Sequence, residues 1–205
     1  MPKFKRRKGR KSWFRHLPLM TAVLGVIASL ILLPTVIRLR MKALIPYTAA
    51  VVKTNKGDFT LTFRSETPLA VANFIKLAKS DYYSDTRIHR VVKDLLIQGG
   101  DPFSRDLTKT EFWGKGGPGY TFADEIKADD AMRVGSVAMV NNGPDSNGSQ
   151  FFILIADALW LSGKHTIFAT ISSGLDTVKN ISEISGGPTG VPIKEVIIKT
   201  ITLVP

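Results

Sequence analysis

The run Met139 to Ile153, MVNNGPDSNGSQFFI, decides how the rest of the chain is read. Gly143-Pro144-Asp145 and Asn147-Gly148 supply positive-φ and fixed-φ positions, so the first part is turn-rich. Phe151 to Ile155 is apolar and β-prone, so a loop is delivered directly onto a strand. A second such join lies fifty residues upstream, where Ile88-His89-Arg90-Val91-Val92 precedes Leu96-Ile97-Gln98-Gly99-Gly100-Asp101. A third follows ten residues downstream as Trp160-Leu161-Ser162-Gly163-Lys164-His165.

Outward from these joins the pattern is of short strands. Ala49 to Thr54 and Asp58 to Phe63 flank Asn55-Lys56-Gly57, which is hairpin spacing and turn chemistry. Phe59, Leu61 and Phe63 alternate with Asp58, Thr60 and Thr62, so that strand buries one face. Thr67-Pro68 reads as an N-cap with proline at the first helical position, opening a helix to about Lys79. Further strands are expected at about 87–92, 95–99, 135–140, 151–155 and 166–171, then a helix at 175–182 and a last strand at 195–203. Many short strands with Gly-rich turns and two helices predict an all-β-dominated domain, a closed antiparallel barrel.

The three joins, in this order and spacing, resemble the signature of the cyclophilin family of peptidyl-prolyl cis-trans isomerases, over about residues 50 to 204. The resemblance implies eight strands with a helix over each open end. It implies that Arg90, in His-Arg-Val-Val, is the catalytic donor and that Gln98 orients it. The slot for the substrate proline ring is implied to be Leu96, Phe152 and Leu161, with Leu95, Gln150, Trp160 and His165 around its rim. Asn141 stands where the family binds substrate through its main chain. Trp160 matches the position associated with cyclosporin, so cyclosporin binding is an implied property. Leu95 and Leu96 replace the more usual Phe and Met, and Val140 and Asn142 replace small residues, which bears on specificity. A proline-peptide binding or chaperone module with little catalysis is the alternative reading.

The formal charge of +11 is a property of one end. Residues 1–42 hold 11 Lys and Arg and no acid, leaving 17 basic and 17 acidic residues beyond them. The domain is therefore neutral and nucleic acid is not an expected partner. Residues 1–16 read as a basic cytoplasmic tail. Residues 17–37 carry no charge, and at ~1.5 Å per residue they match a ~30 Å bilayer core. They are read as a transmembrane helix in contact with lipid, in preference to a cleaved signal peptide; 38–48 is a linker and 49–205 the barrel domain. The eight basic residues before the span against three after it favour a single-pass protein with the N-terminus cytoplasmic and the barrel outside.

There is no cysteine, which excludes a thiol nucleophile and Cys-ligated zinc. His89 and His165 have no ligand-spaced neighbours, so neither metal nor cofactor is expected. Ser149 lies in no nucleophile elbow, and Gly114 to Gly119 follows no strand and opens no helix, so it reads as a connector rather than a phosphate loop. Phe103 to Lys115 is longer than the loop in compact relatives. Its Phe112 and Trp113 are expected to pack over the barrel end, with contact to a partner as the alternative.

Overall fold

The computed structural model describes residues 46–184 and 190–205, which lie in one compact unit. Eight strands form one antiparallel sheet in the order β3-β4-β6-β5-β7-β2-β1-β8. They are β1 (Ala49–Thr54), β2 (Gly57–Phe63), β3 (Arg90–Val92), β4 (Leu96–Gly99), β5 (Ser136–Met139), β6 (Phe151–Leu154), β7 (Ile167–Ser173) and β8 (Ile198–Val204). The β1–β2 hairpin turns at Asn55-Lys56, and β1 pairs on its other edge with β8, Ala49 opposite Val204. Two helices, α1 (Pro68–Lys79) and α2 (Leu175–Ser182), complete the fold.

The inner face of the sheet holds the core. Val52, Phe59, Leu61, Val91, Ile97, Val137, Ile153 and Ile198 are buried there, as the alternation of each strand requires. Phe74 of α1 sits among the rings of Phe63, Tyr83, Phe151 and Phe168, with centroids 5.0 to 5.8 Å away. Its neighbours on the helix face, Ala70, Val71, Leu77 and Ala78, recur at helical spacing and are buried. Lys76 and Lys79 in the last turn complement the helix dipole. Thr67 holds the cap position, but its hydroxyl donates to Ile167 O; the free N–H of Ala70 is met instead by Glu125 Oε2 at 2.9 Å. The helix is thus capped by a residue far away in sequence. α2 starts at Gly174, whose φ of 78° and whose approach to Asp58 O, 2.5 Å from where a Cβ would lie, leave room for glycine alone.

Two expectations are corrected. The barrel is not closed: β3 and β8 end the sheet without pairing, and the chain segments leading into them meet at one isolated bridge, Arg87 opposite Ile197. Strand was expected from 87 and from 195, whereas β3 has only three residues and β8 begins at Ile198. Val91 gives its N–H to Gly190 O, and Pro192 in the segment before β8 has no N–H to offer a ladder. The architecture is an open, curled half-barrel with two helices.

The second correction concerns the membrane. No helix among the described residues is long and apolar enough to cross one. The expected span at 17–37 lies outside the described residues, as do the basic tail and most of the linker, so the transmembrane helix, its lipid contact and the single-pass localisation built on it are not carried by this structure.

The loop after β4 runs through two 3₁₀ turns, Pro102–Arg105 and Leu107–Phe112. Trp113 is half-buried, its ring 6.0 Å from the Arg87 guanidinium and its Nε1 donating to Asp106 O. Phe103 and Phe112 meet edge to face but both stay exposed.

Candidate active site

Strand register builds the site. Arg90 on β3 is opposite Gln98 on β4, Gln98 is opposite Phe152 on β6, and Phe152 is opposite Ala138 on β5. Cross-strand partners point to the same face, so these four side chains form a row across the outer face of the sheet. The residues between them, Val91, Ile97, Ile153 and Val137, point into the core. One alternation therefore supplies both the core and the site.

At one end the row is polar. Arg90 is exposed and its Nη1 donates to Gln98 Oε1 at 3.2 Å. Gln98 Nε2 donates to Gln150 Oε1 at 3.0 Å, and Gln150 Nε2 donates to the carbonyls of Gly114 and Gly116 at 2.9 and 2.8 Å. Both glutamines are buried, so the amide chain holds the guanidinium by a relay that water does not compete for. Gln150, expected on the slot rim, belongs to this relay. The loop that ends it is fixed by buried Asp101, whose carboxylate accepts from the backbone N–H groups of Phe103, Gly114 and Gly116. Gly100, at φ 86°, has Ser149 O 2.5 Å from where a Cβ would sit, which is how β4 passes the Ser149-Gln150 turn so closely.

At the other end the row is apolar. Leu96, Phe152, Ala138, Met132, Leu154 and Ile167 form a second buried cluster on the outer face, with Leu95, Val140 and Leu161 partly buried against it. The ring of His165 stands edge-on to Phe152 at 5.2 Å, fixed by a contact of 3.2 Å between its Nδ1 and Met139 O. Trp160 is 61% exposed at the margin. Asn141 spends its side chain within the protein, donating from Nδ2 to Lys164 O at 2.9 Å. The residue lines a cleft of about 190 Å³ with Gly116, Tyr120, Val140, Asn142 and Gly148. Of the expected site residues, Arg90, Gln98 and Gln150 meet in one network, and Leu95, Leu96, Phe152 and Leu161 in one cluster. Trp160 and Asn141 stand at its edges. Met132, Ala138 and Asp101 were not expected; Met132 lies in an irregular stretch whose sequence has no periodicity.

His89 lies behind the polar row, its Nε2 3.4 Å from Gln98 Nε2. Burial lowers its pKa, and the nearby Arg90 charge acts in the same direction, against the opposing pull of Asp101. Burial likewise lowers that of His165. A depressed folded value means the unfolded chain binds protons first as pH falls. The stabilisation is full above the ordinary imidazole value of ~6.5 and is lost as pH drops toward the folded values. The urea midpoint should therefore fall between about pH 7.5 and about pH 5.5. His89→Gln should show a smaller fall, and an identical fall in the variant would remove His89 as a source.

No group of His, Cys, Asp or Glu among the described residues could hold a metal ion. What the arrangement offers is a fixed cationic donor beside an apolar slot, suited to a substrate that develops a hydrogen-bond acceptor next to a nonpolar ring.

Comparison with known proteins agrees. The sequence model described as "Cyclophilin type peptidyl-prolyl cis-trans isomerase/CLD" matches residues 49–203. The human peptidyl-prolyl cis-trans isomerase-like 1 is 36% identical over 147 residues, 71% of this chain and 86% of that protein. Peptidyl-prolyl cis-trans isomerase 9 of Schizosaccharomyces pombe is 42% identical over 137 residues, 66% of this chain but only 22% of that larger protein. A cyclophilin-type isomerase of Cryptosporidium parvum superposes with a TM-score of 0.70 at 34% identity, covering 77% of this chain and 97% of its own. A crystal structure of it in the presence of the dipeptide Ala-Pro gives a TM-score of 0.69, again at 34% identity, covering 76% of this chain and 98% of its own. The chain therefore belongs to the cyclophilin-type peptidyl-prolyl cis-trans isomerase family, and its reaction is rotation about the X-Pro bond.

Proposed function

We propose that this chain isomerises X-Pro bonds in polypeptides by stabilising the twisted amide through Arg90, with the proline ring seated on Phe152. The reaction breaks no covalent bond. Its barrier of ~18–20 kcal/mol is the resonance lost when the amide leaves planarity. At the midpoint the prolyl nitrogen becomes pyramidal and gains a lone pair that accepts a hydrogen bond, which neither planar isomer offers. A donor placed there binds the midpoint in preference to both ends, and each ~1.36 kcal/mol of that preference is tenfold in rate.

Arg90 is that donor. A guanidinium stays charged at any working pH and presents several N–H groups in a rigid plane. Gln98 holds its orientation, so little is reorganised as the bond turns. Leu96, Phe152 and Leu161 hold the ring, and dry walls favour the less polar twisted amide. The Asn141 main chain takes residues before the proline. The observation that carries the reading is the register row Arg90–Gln98–Phe152–Ala138, which sets the donor and the slot side by side on one rigid sheet.

Exchange spectroscopy on a short Ala-Pro peptide with the full chain tests it: saturable acceleration that collapses in Arg90→Ala supports the proposal. Peptide binding without acceleration would instead leave a proline-peptide binding module. Cyclosporin binding through exposed Trp160 is part of the same proposal. Inhibition by the drug that weakens in Trp160→Ala is the expected result, and full activity at saturating drug counts against it.

A further inference from the structure

Beyond Arg90, on the side away from the proline slot, the surface opens into a cleft of about 580 Å³ lined by Arg90, Gln98, Glu111, Trp113 and Val191. We infer that this cleft is a subsite for the residues that follow the proline, and that Glu111 makes it select a Lys or Arg side chain. The inference rests on the isomerase reading above, because Arg90 fixes where the substrate proline lies.

Direction follows from strand order. Asn141 follows β5 and Arg90 is on β3, with β4 and β6 between them. A substrate whose leading residues lie along Asn141 and whose proline lies over Phe152 must leave past Arg90. The cleft is on that exit path. Its far wall comes from the loop after β4, which is anchored beneath by Asp101 and Gln150.

Charge decides what the cleft takes. His89 at its floor is held toward the neutral form by burial, leaving Arg90 and Glu111 as the charged walls. Lys109 is engaged with Asp106 at 3.4 Å, Arg87 with Glu195 at 2.8 Å and Arg105 with the carbonyl of Ser84, while Lys115 lies over the Phe112 ring, its Nζ 5.7 Å from the centroid. Among the described residues Glu111 is in no ion pair and is exposed at the rim. Trp113 beside it offers an aromatic surface against which the methylene stem of a lysine or arginine packs, with the cation reaching the carboxylate. An acidic side chain would meet Glu111 with like charge.

The test uses the full chain with three peptides differing only in the residue after proline: Ala-Ala-Pro-Lys, Ala-Ala-Pro-Ala and Ala-Ala-Pro-Glu, each capped at both ends. In the wild type, kcat/KM for the Lys peptide should exceed that for the Ala peptide by about two- to fivefold, the range of an exposed ion pair, and shrink with added salt. The difference should lie in KM, since the contact is the same in ground and transition states. Glu111→Gln should bring the Lys-to-Ala ratio to one, and Glu111→Lys should turn the preference toward the Glu peptide. Equal rates for all three wild-type peptides, or a Lys preference that survives Glu111→Gln, would overturn the inference. So would a uniform rise on every peptide in Glu111→Gln, which would make Glu111 a brake on Arg90. If no peptide is exchanged, the isomerase reading fails, and the peptides' dissociation constants, ranked in the same way, still decide whether the cleft prefers a cation.

Discussion

Arg90→Ala is expected to lower kcat/KM for X-Pro exchange by about 10² to 10³, the loss typical of removing one hydrogen-bond donor aimed at transition-state charge and equivalent to about 3–4 kcal/mol. KM should change little. The contact forms only when the prolyl nitrogen is pyramidal, so its loss appears in kcat and kcat/KM together. Folding stability should be nearly unchanged, because Arg90 is exposed and its one side-chain partner among the described residues, Gln98, keeps its bond to Gln150. Arg90→Lys should recover only a small part of the rate. It restores the charge without the plane of donors that Gln98 Oε1 can hold from one side. Exchange rates beside urea unfolding curves separate the two effects; a variant as fast as the wild type would mean that another group stabilises the twisted amide.

Asp101→Ala should be the most destabilising substitution outside the apolar core. Its carboxylate is fully buried and satisfies the N–H groups of Phe103, Gly114 and Gly116, binding both ends of the long loop to the end of β4. Removing it strands these donors, at about 1–3 kcal/mol for each that remains buried, the longest contact, 3.4 Å to Gly116, costing least. A loss of about 3–5 kcal/mol is expected, a large part of the ~5–15 kcal/mol that holds such a domain together. Activity should fall even where the variant is still folded. Gln150 is bonded to the carbonyls of the same Gly114 and Gly116, so a shifted loop frees Gln150, then Gln98, then the guanidinium. A change in the urea midpoint corresponding to less than about 1 kcal/mol would show that Gln150 and the Trp113 packing hold the loop unaided.

Features set by neighbours in the chain were legible in the sequence. The alternation of Phe59, Leu61 and Phe63, the hairpin at Asn55 to Gly57 and the second helix, expected at 175–182 and observed at Leu175–Ser182, all follow from local spacing. Arg90, Gln98 and Phe152 could be singled out by their motifs, yet their shared row depends on the register of three strands far apart in sequence. The same distance hid the Gln98–Gln150 bond and the capping of α1 by Glu125. Met132 reaches the slot from a segment with neither helical nor strand period, so nothing nearby marks it. Closure failed for a physical reason no pattern carries. The apolar residues near both seams, Ile88, Val91, Val196 and Ile198, are buried whether or not a ladder forms there. Backbone bonds such as Ile88 N–H to Val196 O join the segments around the Arg87–Ile197 bridge, but beyond it Val91 bonds to Gly190 O and Pro192 has no N–H to extend a ladder.

Because β1 and β8 run side by side with Ala49 opposite Val204, the folded domain begins and ends at the same point on its surface. Paired residues on adjacent strands lie only ~5 Å apart, a gap that a few residues of linker can bridge. The domain is therefore topologically suited to circular permutation, with the start of β1 joined to the end of β8 and new ends opened in an exposed turn such as Asn142 to Asp145. It is equally suited to being spliced whole into a surface loop of a host protein, which would need to part its own chain by little more than the width of one strand.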